Sequence, residues 1–383
     1  MKFTAQCSIG QWSIDSAADP HTELNAIRVK LARGAINETD IVLYIAPAAD
    51  TSLLDQAIGA ATGALAGAAG LDGGDPVFST NVRGTEVKEG DAITITLTAG
   101  EVSQTVFTGE VASSDADFGL TRIAGTGGAR NLAAARVNQV FENQSADRII
   151  ADIAGQAGAS VGQISAAIHY PYLVIDETRP VFDHIKRLAA REGMECYFNA
   201  ADELTVEKFA KTSADHELYY GIHILDLRSF VTRPVADHTR VYTESPASSQ
   251  GQDAWHWLTK DSSSFQSEVG SGANLLALSD GAVRTKDAAD QLSVSKHGAI
   301  KDSSTLGRVA LLGNPAIAVA DAIEIKDAPK PELNGLFKVS AVEHRFSKHE
   351  GYITQVDFTG QGGADAAGGL LGALGGLAGA VGF

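Results

Sequence analysis

Along Ile27-Arg28-Val29-Lys30-Leu31, and again along Ile93-Thr94-Ile95-Thr96-Leu97-Thr98, apolar residues alternate with polar ones. Successive side chains of an extended chain point to opposite faces, so such a run buries one face and leaves the other in water. A helix would spread the same residues around its circumference. The pattern prevails from residue 1 to about 125 and predicts a β domain of half-buried antiparallel strands. It breaks at about 53–74, where Leu53-Leu54-Asp55-Gln56-Ala57-Ile58-Gly59 runs into an Ala/Gly stretch lacking β-branched residues. A short helix or a long insertion is expected there.

Between about 140 and 215 the period lengthens. Ser145 is a candidate N-cap for a helix through Ile149, Ile150 and Ile153 that stops at Gly155 and Gly158. Val181, Ile185, Leu188 and Ala189 share one face of a second helix, with Asp183, Lys186 and Arg187 turned away and Gly193 placed as its C-terminal cap. Cys196-Tyr197-Phe198 and Leu204 to Phe209 then read as a hairpin around residues 199–203, which completes a small α/β domain. Strand patterns return over about 220–360, interrupted at 245–285 by a Ser-, Gly- and Gln-rich stretch expected to be a loop insertion. The resulting fold class is α+β, mostly β, with domains at 1–135, 136–215 and 216–360 and a Gly/Ala-rich tail at 361–383. A short echo links the two β domains: Gly90-Asp91-Ala92-Ile93-Thr94-Ile95 and Ala320-Asp321-Ala322-Ile323-Glu324-Ile325 each place a turn before an alternating strand.

Composition narrows the function. The chain has 383 residues, 44% of them hydrophobic, enough for several packed domains. Its 30 Lys and Arg against 47 Asp and Glu give a formal charge of −17, the reverse of what gripping nucleic-acid phosphates needs. The N-terminus lacks the apolar run of a signal peptide, so synthesis in the cytoplasm without classical secretion is expected. Cys7 and Cys196 read as buried thiols, and the glycosylation patterns at Asn37 and Asn143 as chance matches.

The search for chemistry yields weak candidates. Gly158-Ala159-Ser160-Val161-Gly162 matches the pattern that presents a nucleophilic serine, but a helix precedes it where a strand is needed. Gly125-Thr126-Gly127-Gly128-Ala129-Arg130 resembles a phosphate loop with Arg130 at the third glycine position and no lysine after it, which fits a connector better. His344 and His349 could flank a hairpin turn without completing a metal set. Asp176-Glu177 and Asp202-Glu203 are adjacent carboxylates of the kind found in solvated turns. Trp255-His256-Trp257 puts both indoles on one face of a strand, suited to packing or a subunit contact. No catalytic site, cofactor or metal is expected.

Gly59, Gly63 and Gly67, like Gly368, Gly372 and Gly376, recur every four residues, and on a helix would form smooth stripes for close contact. Assembly contact, a flexible segment and, for the uncharged 366–383, a membrane span are the three readings. Membrane contact is the least favoured because dense glycine opposes helix formation and insertion.

The order of segments resembles a known family. Glu89-Gly90-Asp91-Ala92-Ile93-Thr94-Ile95 with Val106-Phe107-Thr108-Gly109-Glu110-Val111 is similar to the tube-like first domain of baseplate hub proteins from contractile phage tails. The helix from Ser145, Arg179-Pro180-Val181-Phe182 through Gly193 into Tyr197-Phe198, and Asn334-Gly335-Leu336-Phe337-Lys338-Val339 with Gly351-Tyr352-Ile353-Thr354 continue the likeness over about 85–358. The family is that of phage late control protein D and the N-terminal hub region of type VI secretion VgrG proteins. Ala320, where the family has glycine, the insertions at 53–74 and 245–285 and the tail depart from its pattern.

The resemblance implies two tube-like antiparallel β-barrel domains flanking the small α/β domain. It also implies a homotrimer that adapts a six-fold tail tube to a three-fold spike, with tube, spike, baseplate wedge and tail-tip proteins as partners. A spike carried on a separate protein, a place in the baseplate of a phage tail or injection particle, and no specific nucleic-acid binding are further expectations. The opposing hypothesis is a tail-associated enzyme that cuts cell-wall polymer with Asp202, Glu203 or Ser160.

Overall fold

A computed structural model describes residues 2–16, 24–44, 87–117, 120–243 and 266–360. The glycine stripes at Gly59, Gly63, Gly67 and Gly368, Gly372, Gly376, and the segment from Trp255 to Trp257, lie outside the described residues.

The first part of the chain forms β1 (Phe3–Ile9), β2 (Trp12–Asp15), β3 (Leu24–Ala32), β4 (Glu38–Tyr44), β5 (Ala92–Ala99), β6 (Val102–Asp117) and β7 (Leu120–Thr126). Next come α1 (Ala129–Ala134), β8 (Gln139–Ser145), α2 (Ala146–Gln156), β9 (Val161–Ile164), β10 (His169–Ile175), α3 (Val181–Glu192), β11 (Met194–Phe198) and β12 (Leu204–Lys208). The remainder forms β13 (His216–Tyr219), β14 (Ile224–Val231), β15 (His238–Tyr242), β16 (Gln266–Gly270), β17 (Leu275–Ser279), α4 (Lys286–Asp302), β18 (Thr305–Leu312), β19 (Ala322–Lys326), β20 (Gly335–Ser347) and β21 (Gly351–Thr359). The molecule is mostly β, as the alternating patterns predict.

Both β regions belong to one 13-stranded sheet with the order β14-β18-β21-β20-β3-β4-β7-β6-β5-β1-β2, to which β19 adds on β20 and β13 on β19. Its apolar face gathers Ile27, Val29, Ile41, Ile93, Ile95, Leu97, Val309, Ile323, Val342 and Val356 into one core. A second core lies in the α/β lobe, where Ile149, Ile150 and Ile153 of α2 meet Val181, Ile185 and Leu188 of α3. Gly193 ends α3 at φ +69°, the left-handed conformation that glycine adopts without a steric penalty.

Of the stretch 245–285, the described part is not a loop throughout: β16 and β17 flank β15 in a three-stranded sheet. Helix α4 stands where continued strand pattern was expected. Helix α4 and strand β16 depart from the sequence reading because part of each buried face is polar, and β17 because it buries no side chain. Ser267 of β16 pairs with Ser293 of α4 at 2.8 Å, and His297 of α4 meets Thr239 of β15 at 3.3 Å. Val241, Ala288, Ala289 and Leu292 complete the contact and join the core of the α/β lobe.

The short echo in the sequence marks a structural repeat. Pairing runs β5-β6-β7-β4-β3 in the first module and β19-β20-β21-β18-β14 in the second. The irregularities repeat too: β3 and β14 shift register between Leu24/Ala26 and Ile224/Asp226, and β6 and β20 between Val111/Ser113 and Val339/Ala341. The turns before β5 and β19 share their hydrogen bonds. Gly90 N donates to Val111 O at 2.9 Å and Val111 N to Asp91 O at 2.8 Å; Ala320 N donates to Val339 O at 3.1 Å and Val339 N to Asp321 O at 2.9 Å. In each turn the Asp side chain also accepts a 2.8 Å bond from the backbone three residues earlier, Lys88 N or Ala318 N.

Candidate functional site

The residues singled out for chemistry hold the fold. Ser160 lies between α2 and β9, after the left-handed Gly158, and its carbonyl accepts from Leu204 N at 2.9 Å. The neighbouring Gly162 packs against Glu203, so the structure brings Ser160 and Glu203 to one end of the small sheet. Glu203 accepts from Asn199 Nδ2 at 3.0 Å within its own turn. Asp202 is set apart from them: both of its carboxylate oxygens accept from Gly128 N at 2.8 Å. The segment that resembles a phosphate loop therefore already cradles a carboxylate from the same chain, and a Cβ on Gly127 would stand 2.6 Å from Asp202 Oδ1. Burial, with Glu110 adding to it, pushes Asp202 up to about 6, although the bonds from Gly128 pull the other way.

Asp176 accepts from Thr178 N at 2.9 Å and forms the turn before α3. His344 is buried on β20 and meets the Tyr352 hydroxyl at 2.8 Å, whereas His349 is exposed in the turn before β21, so the two do not converge. Cys7 and Cys196 are both buried free thiols, each pushed up to about 12 by burial. Among the described residues no three His, Cys, Asp or Glu side chains cluster as a metal site requires, and no helix is long and apolar enough to cross a membrane.

The more informative geometry is the seam where the modules join. β20 pairs antiparallel with β3, placing Val342 opposite Leu31, Glu343 opposite Lys30 and Arg345 opposite Arg28. Arg28 Nε donates to Glu343 Oε1 at 2.7 Å, and Arg345 Nε to the same oxygen at 2.6 Å. Burial raises the Glu343 pKa, but its bonds to Arg28 and Arg345 outweigh this and hold it below the usual carboxylate value. Backbone bonds from Arg33 N to Ser340 O (3.0 Å) and Lys348 N to Asn25 O (3.1 Å) extend the seam at its ends. Arg33 also donates to Glu195 at 3.0 Å, and Lys338 to Asp302 at 3.0 Å, tying the seam to the α/β lobe.

Sequence reasoning did not identify Arg28 or Glu343. A signal was present: Leu24-Asn25-Ala26-Ile27-Arg28 and Ile224-Leu225-Asp226-Leu227-Arg228 share apolar residues at the first and fourth positions and an arginine at the fifth.

The fold is that of bacteriophage tail proteins. The chain is similar to the 43 kDa tail protein of prophage MuSo2 from Shewanella oneidensis, with a TM-score of 0.63 at 13% identity over 94% of this chain and 98% of that one. It is likewise similar to the tail protein from Neisseria meningitidis MC58, with a TM-score of 0.63 at 8% identity over 96% and 98%. The E. coli c3393 protein, a component of the type VI secretion system, superposes with a TM-score of 0.54 at 9% identity over 94% and 77%. No protein-family model and no curated protein matches the sequence.

Proposed function

We propose that the chain is the structural hub of the baseplate of a contractile tail or injection particle, a homotrimer that adapts a six-fold tail tube to a three-fold spike. The observation that carries this reading is the duplicated module. Two copies of one strand order in a single chain let three subunits present six like modules to the tube while keeping a three-fold face for the spike. The near-complete overlap with phage tail proteins supports a structural role for the same fold.

In this reading the tube-like domains are 1–135 and 216–360, the second interrupted by β15–β17 and α4, which pack with 136–215 in the α/β lobe, and the partners are tube, spike, wedge and tail-tip proteins. The glycine stripes and the tail at 361–383 serve as assembly contacts, and deleting 366–383 is expected to impair assembly. The chain has no active site. Asp202 and Glu203 work as turn and connector ligands, so alanine variants of Ser160, Asp202 and Glu203 that fold are expected to show no change in cell-wall release assays.

Light scattering on the purified chain tests the assembly, with a mass of three subunits expected. A chain that stays monomeric at all concentrations and is missing from particles would overturn the reading.

A further inference from the structure

The face of the second module that turns away from its core ends, beside the α/β lobe, in an uncovered apolar pair. Register places Lys338 of β20, Thr359 of β21, Leu306 of β18 and Phe230 of β14 side by side in one row. Residues directly opposite in antiparallel strands turn their side chains to the same face, so the four form one strip. The lobe covers its first half: Lys338 bonds Glu195 and Asp302, and Thr359 is 4% exposed. Cover then stops, since Leu306 is 43% exposed and Phe230 65%. The next row carries Arg228, Arg308 and Asp357, with Arg308 bonded to Asp357 and Arg228 to Asp226. The apolar pair is therefore a discrete patch, bounded by the lobe and by a row of paired charges.

The chain leaves the described residues at this patch. Gly360, the last of them, donates from N to Asp302 O at 3.2 Å and to Thr305 O at 3.3 Å, which fixes the exit next to Leu306. Phe230 lies two strands from Thr359, about 10 Å away. Residues 361–369 alone could span about 30 Å when extended. From 366 onward the sequence carries no charge, and it holds Leu370, Leu371, Leu374, Leu377, Val381 and Phe383.

We infer that residues 370–383 dock on the Leu306–Phe230 patch of their own chain. An uncharged segment with large apolar side chains removes Leu306 and Phe230 from water and leaves the neighbouring ion pairs intact. The attachment at Gly360 makes the docking intramolecular, so a patch of two large side chains is enough where a free partner would need a far larger surface. The contact lies on the face of β14 and β18 and uses no edge of the sheet. It goes beyond the assembly role proposed for the tail, because it gives the tail a place on its own chain before any partner arrives.

Photocrosslinking on the full chain tests it. With Phe230 replaced by p-benzoylphenylalanine, irradiating a mixture of heavy- and light-isotope chains is expected to link position 230 to residues 370–383 of the same isotopic chain. Elastase, which cuts after small residues, gives a second readout. Loss of the tail, followed by intact mass, is expected to be at least fivefold faster in Phe230→Glu with Leu306→Glu than in the wild type. Both positions are exposed, thermal melts check folding, and rates are compared where light scattering gives both proteins the same mass. Links that join heavy to light chains would put a second copy's tail on the patch and overturn docking within the chain. Links to other segments, no links, or equal cutting rates would overturn the inference as well. All of these leave the hub reading standing, since that fails only when the wild type stays monomeric and is missing from particles.

Discussion

At the scale of single residues, the repeat shows where one position bears strain that its counterpart avoids. Gly90 and Ala320 occupy the same turn at φ +89° and +68°. A side chain in this region costs about 1–2 kcal/mol, which glycine does not incur. Gly90→Ala, although its Cβ would meet nothing within 4 Å, is therefore expected to destabilise the protein by about 1 kcal/mol in urea unfolding. Ala320→Gly relieves strain but removes a buried methyl worth about 0.8 kcal/mol, so it should come out within about 0.5 kcal/mol of neutral. A neutral Gly90→Ala would refute the strain argument.

Asp202 offers a second residue-scale test. Its folded pKa of about 6 lies above the unfolded value of about 3.9, so protonation favours the native state. The stability it contributes is fully present below about pH 4 and is lost as pH rises through about 6. Asp202→Asn keeps an oxygen for Gly128 N and removes the titration. The melting temperature of the wild type, taken relative to this variant, is expected to fall between pH 4 and pH 7. A constant difference would show that Asp202 titrates normally.

At the scale of elements, the two modules solve one packing problem in opposite ways. Thr39 of β4 faces Gly125 of β7, while at the matching place Gly307 of β18 faces Phe358 of β21. The small residue has changed strands. A Cβ on Gly125 would stand 2.7 Å from Thr39 Cγ2, and one on Gly307 would stand 2.0 Å from Phe358 Cζ. Gly307→Ala is therefore expected to cost about 2 kcal/mol or more. Adding Phe358→Leu should recover part of that loss, and two additive effects in a double-mutant cycle would show that the residues are uncoupled.

Strands β3, β5 and β20 and helices α2 and α3 were legible because their periodic faces are apolar. Helix α4 was not, since Ser293 and His297 occupy its buried face and are satisfied by Ser267 and Thr239 across the interface. Polar residues with buried partners look like surface residues until the partner is known.

At the scale of the whole molecule, β20 ties the sheet together and also carries a titratable group that makes it sensitive to acid. Burial drives His344 down to about 3, well below the usual value of about 6.5. Its contribution is present above about pH 6.5 and is lost as pH falls toward 3, at no more than about 1.4 kcal/mol per unit. His344→Gln is expected to flatten the acid limb of the stability curve, measured by urea unfolding from pH 7 to pH 4. An unchanged slope would place the acid sensitivity elsewhere.

The sequence by itself determined the class of fold: alternation and helical periodicity reflect which face of each element meets water, and that is local information. It also carried the trace of the duplication in the turns at Gly90-Asp91 and Ala320-Asp321. Only the tertiary structure decided that the two β regions form one sheet. It did so by pairing β3 with β20, a seam across which Arg28 bonds Glu343, 315 residues away along the chain. Edge strands show their backbone groups to any partner of suitable charge and shape, so which edges meet is settled by closing the sheet and not by the pattern within a strand.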